Sequence, residues 1–480
     1  MLPAPTTNVV ARQVIIVGSS PFNGVIFALP GAVFAGAITM TAPIGGPSGV
    51  PGVLITSPSD VSSSSLDSQA AVGIVGRSAD GTKGPFIYFG SDQFGSSTIN
   101  PVTTLAVGSF GFSSGGVAGG LLTPNRIIIL APSGDMTGAT DIANITALYA
   151  LGCKTIILMP FNYWVNSVIV VPSGCGLIGA FPVQADNFSP VPGVLQPQGT
   201  VITPQGFTGA GLTYAVIACQ NTTATQQGGQ VLANFSIQAN TTPLGSGVFG
   251  ILIDGAVGAG FIENVVVARS DGPCLRVRQD ATSGIVPGQW TIRSNVFAAS
   301  RSSHGMLVDD LSDSNITDNY SHDNALDGYN INNSSNSKWI GNRGETNTGA
   351  GFRFRGLLSA GQRLFGTGLI SEFNPGGGFI FQDNGNLALG TYQLSNCSSH
   401  SDGTAGTTLG GFWSNGCKSR ILLSDCKSDV GVNQNAYGAY EGGVSFGMYV
   451  NGGYMAGGTG ATHDDGTNTH ALVAANLCPF

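Results

Sequence analysis

Three aspartates and four arginines carry spacings from which chemistry could be built. Asp309 and Asp310 are adjacent, Asp254 lies upstream, and arginines alternate with apolar residues in Leu275-Arg276-Val277-Arg278 and Phe352-Arg353-Phe354-Arg355. Two carboxyl groups in different surroundings can divide the roles of general acid and general base. If Asp254 and Asp309 stand two strands apart in a parallel stack, they lie roughly 9.6 Å apart at the ~4.8 Å strand spacing. That is close to the ~6.5–9.5 Å carboxyl separation used for glycoside hydrolysis with inversion. Asp309 with Asp310 is the alternative pair, formed within one strand and its turn. Guanidinium and amide groups hydrogen-bond hydroxyl and acid groups, and aromatic faces stack on flat rings. Arg276, Arg278, Asn332, Arg353, Arg355, Trp413 and Tyr449 are therefore the candidate binding residues. The competing reading is a solvated face on which Asp254, Arg278 and Asp309 simply alternate in sign.

These residues need a scaffold that brings distant segments into line, and the sequence writes one. Gly305-Met306-Leu307-Val308-Asp309, Gly328-Tyr329-Asn330-Ile331-Asn332 and Gly351-Phe352-Arg353-Phe354-Arg355 share one pattern, their glycines 23 residues apart. Each opens with Gly and then alternates with period two, as a strand does. Each is followed by a second short strand with one apolar anchor: Ile316, Ile340 and Phe365. Upstream Ile251–Asp254 and Leu275–Arg278, and downstream Phe379–Gln382, Phe412–Asn415 and, more loosely, Met448–Asn451 fit the first strand. A fixed period of this length marks a solenoid, whose long faces suit extended polymers.

The alternation places Met306, Val308, Tyr329, Ile331, Phe352, Phe354, Phe379 and Phe381 inside. It leaves two outward columns. One reads Leu252, Arg276, Leu307, Asn330, Arg353, Ile380, Trp413, Tyr449. The other reads Asp254, Arg278, Asp309, Asn332, Arg355, Gln382, Asn415, Asn451. Two residues past the second-strand anchors stand Ser294, Asp318, Asn342, Thr367, Asn396 and Asp425, expected to stack as a polar ladder at a turn. Cys397 and Cys426 each follow an anchor by three residues, so stacked coils bring them together, as neighbouring thiols or, in the alternative, as a disulfide.

Composition agrees with strands and turns. Charged residues are 9% of the chain and glycines number 73 in 480 residues, a balance that disfavours helix. A hydrophobic share of 42% argues against a disordered chain. The net charge of −8 and the lack of a Lys/Arg cluster argue against a nucleic-acid partner. The eight cysteines show no metal-type spacing. His304, His322 and His400 lack a consistent ligand partner, and nothing points to a metal or cofactor. Met1–Pro5 has no basic segment of a secretory signal. Gly24–Met40 is too short and too interrupted by Pro30, Gly31 and Gly36 for a membrane span.

Residues 1–125 lack the repeat. Runs at Gln13–Val17, Val53–Ile55, Ala71–Val75 and Phe86–Phe89 predict a small β-rich domain, followed by the solenoid over 126–458 and a tail over 459–480. At the solenoid's start, Thr140 can cap a helix from Asp141 with Ile142, Ile145, Leu148 and Tyr149 on one face, ended by Gly152. Such a helix would cover the open first coil.

Gly134-Asp135, Thr140-Asp141, Ile142–Leu151, Gly152, Thr155–Pro160, Pro172-Ser173-Gly174 and Leu177–Gly179 together resemble the opening motif of the pectate-lyase-like superfamily, which includes bacteriophage tailspikes. With the coils, the resemblance covers roughly residues 131–458. Tyr163-Trp164 departs from it, being bulky where the family has smaller residues. The Asp-Pro-His-Asp signature of alginate epimerases is replaced by Leu307-Val308-Asp309-Asp310, which weakens an epimerase reading. The resemblance implies an all-β, right-handed parallel β-helix with a short N-terminal capping helix. It implies a tailspike-like virion protein, a homotrimer made in the host cytoplasm. Residues 1–125 would attach it to other tail proteins, and the coil would engage, or depolymerise, host cell-surface glycan. A bacterial polysaccharide lyase or hydrolase and a non-catalytic adhesive virion protein are the alternatives.

Overall fold

A computed structural model gives the fold. It describes residues 126–480 apart from 184–198, 208–213, 221–227, 242–244, 282, 358–360, 383–389, 405–409, 430–435, 443–444, 446, 466–472 and 476–480. Before them it describes the strands Pro51–Leu54, Val72–Gly76, Phe86–Phe89, Leu105–Val107, Ser113–Ser114 and Val117–Ala118. The chain divides into two compact units: Met1–Ser133 with Leu151–Cys153, and Gly134–Ala150 with Lys154–Phe480. In the first, Pro51–Leu54, Val72–Gly76 and Phe86–Phe89 pair antiparallel, near the runs read from the sequence. The expected strand at Gln13–Val17 lies outside the described residues.

The second unit is a coil of parallel strands. Among the described residues, a first sheet of eleven strands runs from Ile169–Val171 to Gly460–Asp464, and a third, also of eleven, runs from Asn162–Val165 to Tyr454–Met455. The second sheet climbs between them, and parallel pairing continues past Gly458, to Val473–Ala475. Every turn of the chain visits the three sheets once.

The core is a set of stacks along the coil. Met306, Val308, Tyr329, Ile331, Phe352, Phe354, Phe379 and Phe381 are all buried, as the alternation predicts. Their rings stack because a parallel register puts equivalent side chains one strand spacing apart. Tyr329 and Phe352 lie 4.7 Å apart, Phe352 and Phe379 5.0 Å, and Phe379 and Phe412 4.7 Å, all nearly parallel. The glycine that opens each first strand has a packing reason. A Cβ on Gly351 would sit 2.1 Å from Ser371 Oγ, and one on Gly378 would sit 2.4 Å from Ser399 Oγ.

The second-strand anchors need correction. Ile316 pairs in register with Trp339, and Trp339 with Gly366. Trp339 is fully buried, whereas Ile340 is 42% exposed. Where two neighbouring residues are both apolar, period two does not choose the face, and a one-residue slip inverts it. The polar ladder divides for the same reason. Ser294, Asp318, Asn396 and Asp425 hold the left-handed conformation at the turn, a place Gly341 and Gly368 take in the coils between. Asn342 falls one position later, in a buried ladder. Its Oδ1 accepts from Asn319 N at 3.0 Å and Nδ2 at 2.8 Å, and Asn319 Oδ1 accepts likewise from Asn295. Leu369, Cys397 and Cys426 continue that position upward, and both cysteines are buried free thiols.

A second buried ladder escaped the sequence reading. Asn324, Asn347 and Asn374 each pass backbone and side-chain N–H bonds to the next residue up, and Asp402 ends the series, accepting from Asn374 N and Nδ2 at 2.9 Å. Burial pushes the Asp402 carboxyl up to about 6, with bonds from Asn374, Ser399 and Ser371 opposing the rise.

The helix begins at Ala139, two residues before the expected start. Asp135 organises its first turn, accepting from Thr137 N and Oγ1 and from Thr140 N and Oγ1 at 2.7–3.0 Å. Those bonds hold the Asp135 carboxyl well below the usual range. Asp141 is buried and instead accepts from Trp164 N at 3.1 Å. Ile142 and Ile145 are buried, and Tyr149 Oη donates to Gly176 O at 3.0 Å. The bulky Tyr163 and Trp164 are buried beneath the cap.

Candidate functional site

The outer face of the first sheet gathers most of the expected residues. In register, Leu252, Arg276, Leu307, Asn330, Arg353, Ile380 and Trp413 occupy successive rungs. Beside them run Asp254, Arg278, Asp309, Asn332, Arg355, Gln382 and Asn415, the middle members placed by backbone bonds from Asp309, Asn332 and Arg355 to the strand below. Tyr449 is not among them. It sits in the second sheet, paired with Leu422, because Met448–Asn451 is a second-sheet strand. The rung above Trp413 is Tyr440, and the next is His463.

The charges of this face engage one another. Arg278 grips Asp254 with Nε–Oδ1 at 3.1 Å and Nη2–Oδ2 at 3.0 Å. Asp254 is only 6% exposed, so both its oxygens are committed. Arg276 donates Nε and Nη2 to Asp309 Oδ2, each at 2.8 Å. Arg353 forks onto Asp327 at 2.9 and 3.0 Å and reaches Gln382 Oε1 at 3.1 Å. Burial alone would raise the Asp327 carboxyl, but bonds and charge from His304 and Arg353 outweigh it and hold it well below the usual range. Arg355 has no carboxylate partner among the described residues.

The three candidate carboxylates thus differ. Asp309 keeps Oδ1 unbonded among the described residues and is about one-third exposed. Asp310 is raised by burial, a bond from Asn333 Nδ2 at 2.6 Å opposing the shift and the Asp309 charge adding to it. An open carboxylate beside a carboxyl pushed toward its protonated form is the arrangement that separates a base from an acid. Asp309 and Asp310 therefore sit in different surroundings, whereas Asp254 is closed by Arg278.

Past Trp413 the face becomes aromatic. Tyr437 and His463 rings lie 4.6 Å apart at 12°, Tyr440 and His463 5.1 Å at 26°, and Tyr437 and Tyr440 5.6 Å at 30°. None of the three is buried. They make a partly exposed aromatic tile on the rungs above Trp413. The sequence carried its signal in Tyr437-Gly438-Ala439-Tyr440, a strand of the same alternation hidden by lengthened loops.

The third sheet carries a second polar cluster. His322, Glu345, Glu372, His400 and Asp429 occupy five consecutive rungs. Arg343 bridges Glu345 at 3.0 Å and Glu372 at 2.5 Å, and Tyr320 Oη donates to Glu345 Oε2 at 2.5 Å. Arg343 thus ties these two rungs of the third sheet together. Among the described residues, no group of three or more His, Cys, Asp or Glu side chains is arranged to hold a metal ion. No helix among them is long and apolar enough to cross a membrane.

Comparison with known proteins bears on the fold. Residues 196–362 match the family model described as periplasmic copper-binding protein (NosD). No curated protein matches the sequence. The tailspike gp49 of the Acinetobacter baumannii bacteriophage Fri1, a capsular polysaccharide depolymerase, superposes with a TM-score of 0.51 at 10% identity, covering 85% of this chain and 71% of the tailspike. The A-module of the Azotobacter vinelandii mannuronan C-5 epimerase AlgE4 gives a TM-score of 0.45 at 15% identity, over 72% of this chain and 92% of that one. The Streptococcus pneumoniae surface adhesin PfbA gives 0.42 at 9%, over 72% and 89%. Three stacked parallel sheets, the capping helix and the tailspike superposition agree: the chain has the right-handed parallel β-helix fold.

Proposed function

We propose that the chain is a polysaccharide-binding protein of the bacteriophage tailspike type, gripping host-surface glycan along the outer face of the first sheet. One observation carries the reading. The column from Arg276 through Arg353 to Trp413, Tyr440 and His463 sets arginines below and aromatic rings above, with Leu307, Asn330 and Ile380 on the rungs between; Asn330 and Ile380, read from the alternation as outward, are buried. Charged and amide groups at the edge of this face, in line with rings that stack on sugar faces, form a track for an extended chain. Support for the phage setting comes from the tailspike that shares the fold. In this reading residues 1–125 join the chain to other tail proteins, and the protein is made in the host cytoplasm and carried in the virion tail.

The second sheet supports self-association as a homotrimer. Its outward column reads Asn315, Lys338, Phe365, Gln393, Leu422 and Tyr449, with one charge in six rungs. Arg363 and Arg420 are exposed on the same strands, and a three-fold contact joins different patches of neighbouring copies, so this column would form one side of each contact.

Depolymerisation is assigned to Asp309 as base and Asp310 as acid. A non-catalytic adhesin is the second reading, favoured by the closed Arg278–Asp254 pair. The test is incubation of the full chain with capsular polysaccharide, followed by co-sedimentation and product sizing. Binding with shortened products, abolished by Asp309→Asn and kept by Asp254→Asn, supports the enzyme. Binding with no change in size supports the adhesin, and no binding to any host-surface glycan contradicts both.

A further inference from the structure

Charge is scarce in this chain, and the outer face of the third sheet gathers it. Two of the four glutamates and two of the five histidines stand there, on rungs that the glycan reading leaves unused. The lower rungs are closed. Arg343 holds Glu345 at 3.0 Å and Glu372 at 2.5 Å. His322 meets Asp323 at 2.8 Å, but its side chain is nearly buried and stacked against Tyr320.

The upper rungs are open. His400 Nδ1 is bonded to Asp429 Oδ1, and Nε2 has no bond among the described residues. The two side chains are 41% and 46% exposed. Phe373 borders them. Its ring meets the imidazole edge-on, centroids 5.5 Å apart at 87°, and its N–H donates to His400 O at 3.1 Å. Phe373 is itself exposed. Lys427 stands two residues before Asp429 on the same outward face, exposed and without an ion pair among the described residues.

An imidazole held at one nitrogen by a carboxylate and open at the other is the arrangement of a general base. Its neighbours indicate the bond it acts on. Breaking a glycosidic bond calls for two carboxyl groups about that bond, and the carboxyl groups here are occupied by Arg343 and His400. Hydrolysing an ester calls for a base on water and a positive group beside the oxygen that gains charge. His400 and Lys427 supply these, and the Phe373 ring is an apolar wall for a small acyl group.

We propose that His400, oriented by Asp429, is the general base of a second site, which hydrolyses short acyl esters, such as O-acetyl groups, on the hydroxyls of the glycan. The proposal rests on the glycan-binding reading for its polymer and adds an activity on another face. His400 Nε2 takes a proton from water, whose oxygen bonds to the acyl carbon, and the carbonyl electron pair moves onto oxygen beside Lys427. As that pair returns, the bond to the sugar oxygen breaks, and the sugar oxygen takes the proton from His400. The products are a carboxylic acid and a free sugar hydroxyl.

The test incubates the full chain with O-acetylated polysaccharides (acetylated xylan, acetylated pectin and bacterial capsular polymers) and with 4-nitrophenyl acetate. Released acetate is followed by proton NMR, and co-sedimentation with the polymers is measured on the same samples. Acetate release is expected, slowed by about a hundredfold or more in His400→Ala and His400→Gln, the low end for acid–base catalysis. Asp429→Asn should slow release and move the pH profile of what remains, which a merely structural role would leave in place. Glu263→Gln, in an exposed ion pair on the second sheet, should match the parent. Circular dichroism checks that the His400 variants are folded. Release that persists in both His400 variants, or no release from any ester by a chain that sediments with polysaccharide, overturns the proposal and leaves the glycan-binding reading standing. A chain that neither sediments with any polymer nor releases acetate from one contradicts both.

Discussion

Arg278 and Asp254, one rung apart on the first sheet, form a two-pronged ion pair at 3.1 and 3.0 Å in which the aspartate is almost wholly enclosed. The pair is better suited to holding two coils together than to catalysis. Arg278→Ala would strand a buried carboxylate, at a cost of about 3 kcal/mol, the low end for breaking a buried pair because Arg278 itself is partly exposed. Chemical denaturation would measure it. A loss below about 0.5 kcal/mol, the scale of an exposed pair, would show that Asp254 is better solvated than its burial indicates.

Asp402 gives the coil a pH dependence of defined sign. Its folded-state value of about 6 lies above the ordinary 3.8, so its stabilising protonation is complete below about 4 and is lost as pH rises through about 6. Glu441, raised by burial to about 7 with the Met448 N–H opposing, acts in the same direction. Thermal stability should therefore rise as pH falls from 8 to 5. Asp402→Asn supplies the donor that Asn324, Asn347 and Asn374 each direct at a carbonyl of another coil. It should stabilise the protein at neutral pH by on the order of 2–3 kcal/mol and flatten the dependence. A less stable Asp402→Asn protein at pH 7 would contradict this account of the ladder's end.

Gly351 faces Ser371 at the corner between the first and third sheets. Gly351→Ala should destabilise by roughly 1–3 kcal/mol, as overpacking does, because its Cβ would meet Ser371 Oγ at 2.1 Å. Replacing Ser371 by Gly in the same chain should recover part of that loss, since Gly344 already stands at the equivalent position one coil below. The two melting temperatures decide it. Additive losses would mean that the serine is not what excludes the side chain.

The first strand of each coil was legible because its inward residues are apolar, its outward ones mostly polar, and a glycine marks its start. Phe352-Arg353-Phe354-Arg355 admits one register only. The second strand was not, because Trp339-Ile340 and Leu364-Phe365 are apolar on both faces. Tyr449 was misplaced for a related reason: Gly447-Met448-Tyr449-Val450-Asn451 has the alternation of a first strand but follows the long loops that displaced the repeat. The Asn324–Asp402 ladder and the third-sheet cluster depend on single residues at uneven intervals, whose alignment follows only from the strand pairing. Of the candidate site, the arginine and aspartate rungs were readable from spacing, while their mutual pairing was not. That pairing depends on side-chain direction between coils.

The most direct test of the account compares two aromatic substitutions on different sheets. Affinity for a bound host polysaccharide would be measured by calorimetry for Trp413→Ala with Tyr440→Ala, and separately for Tyr449→Ala. The account predicts a loss of about 2–6 kcal/mol for the pair, at roughly 1–3 kcal/mol per stacked ring, and no change for Tyr449→Ala. Unchanged affinity in the double variant, or a comparable loss on replacing Tyr449, would contradict the first-sheet face as the site of glycan binding.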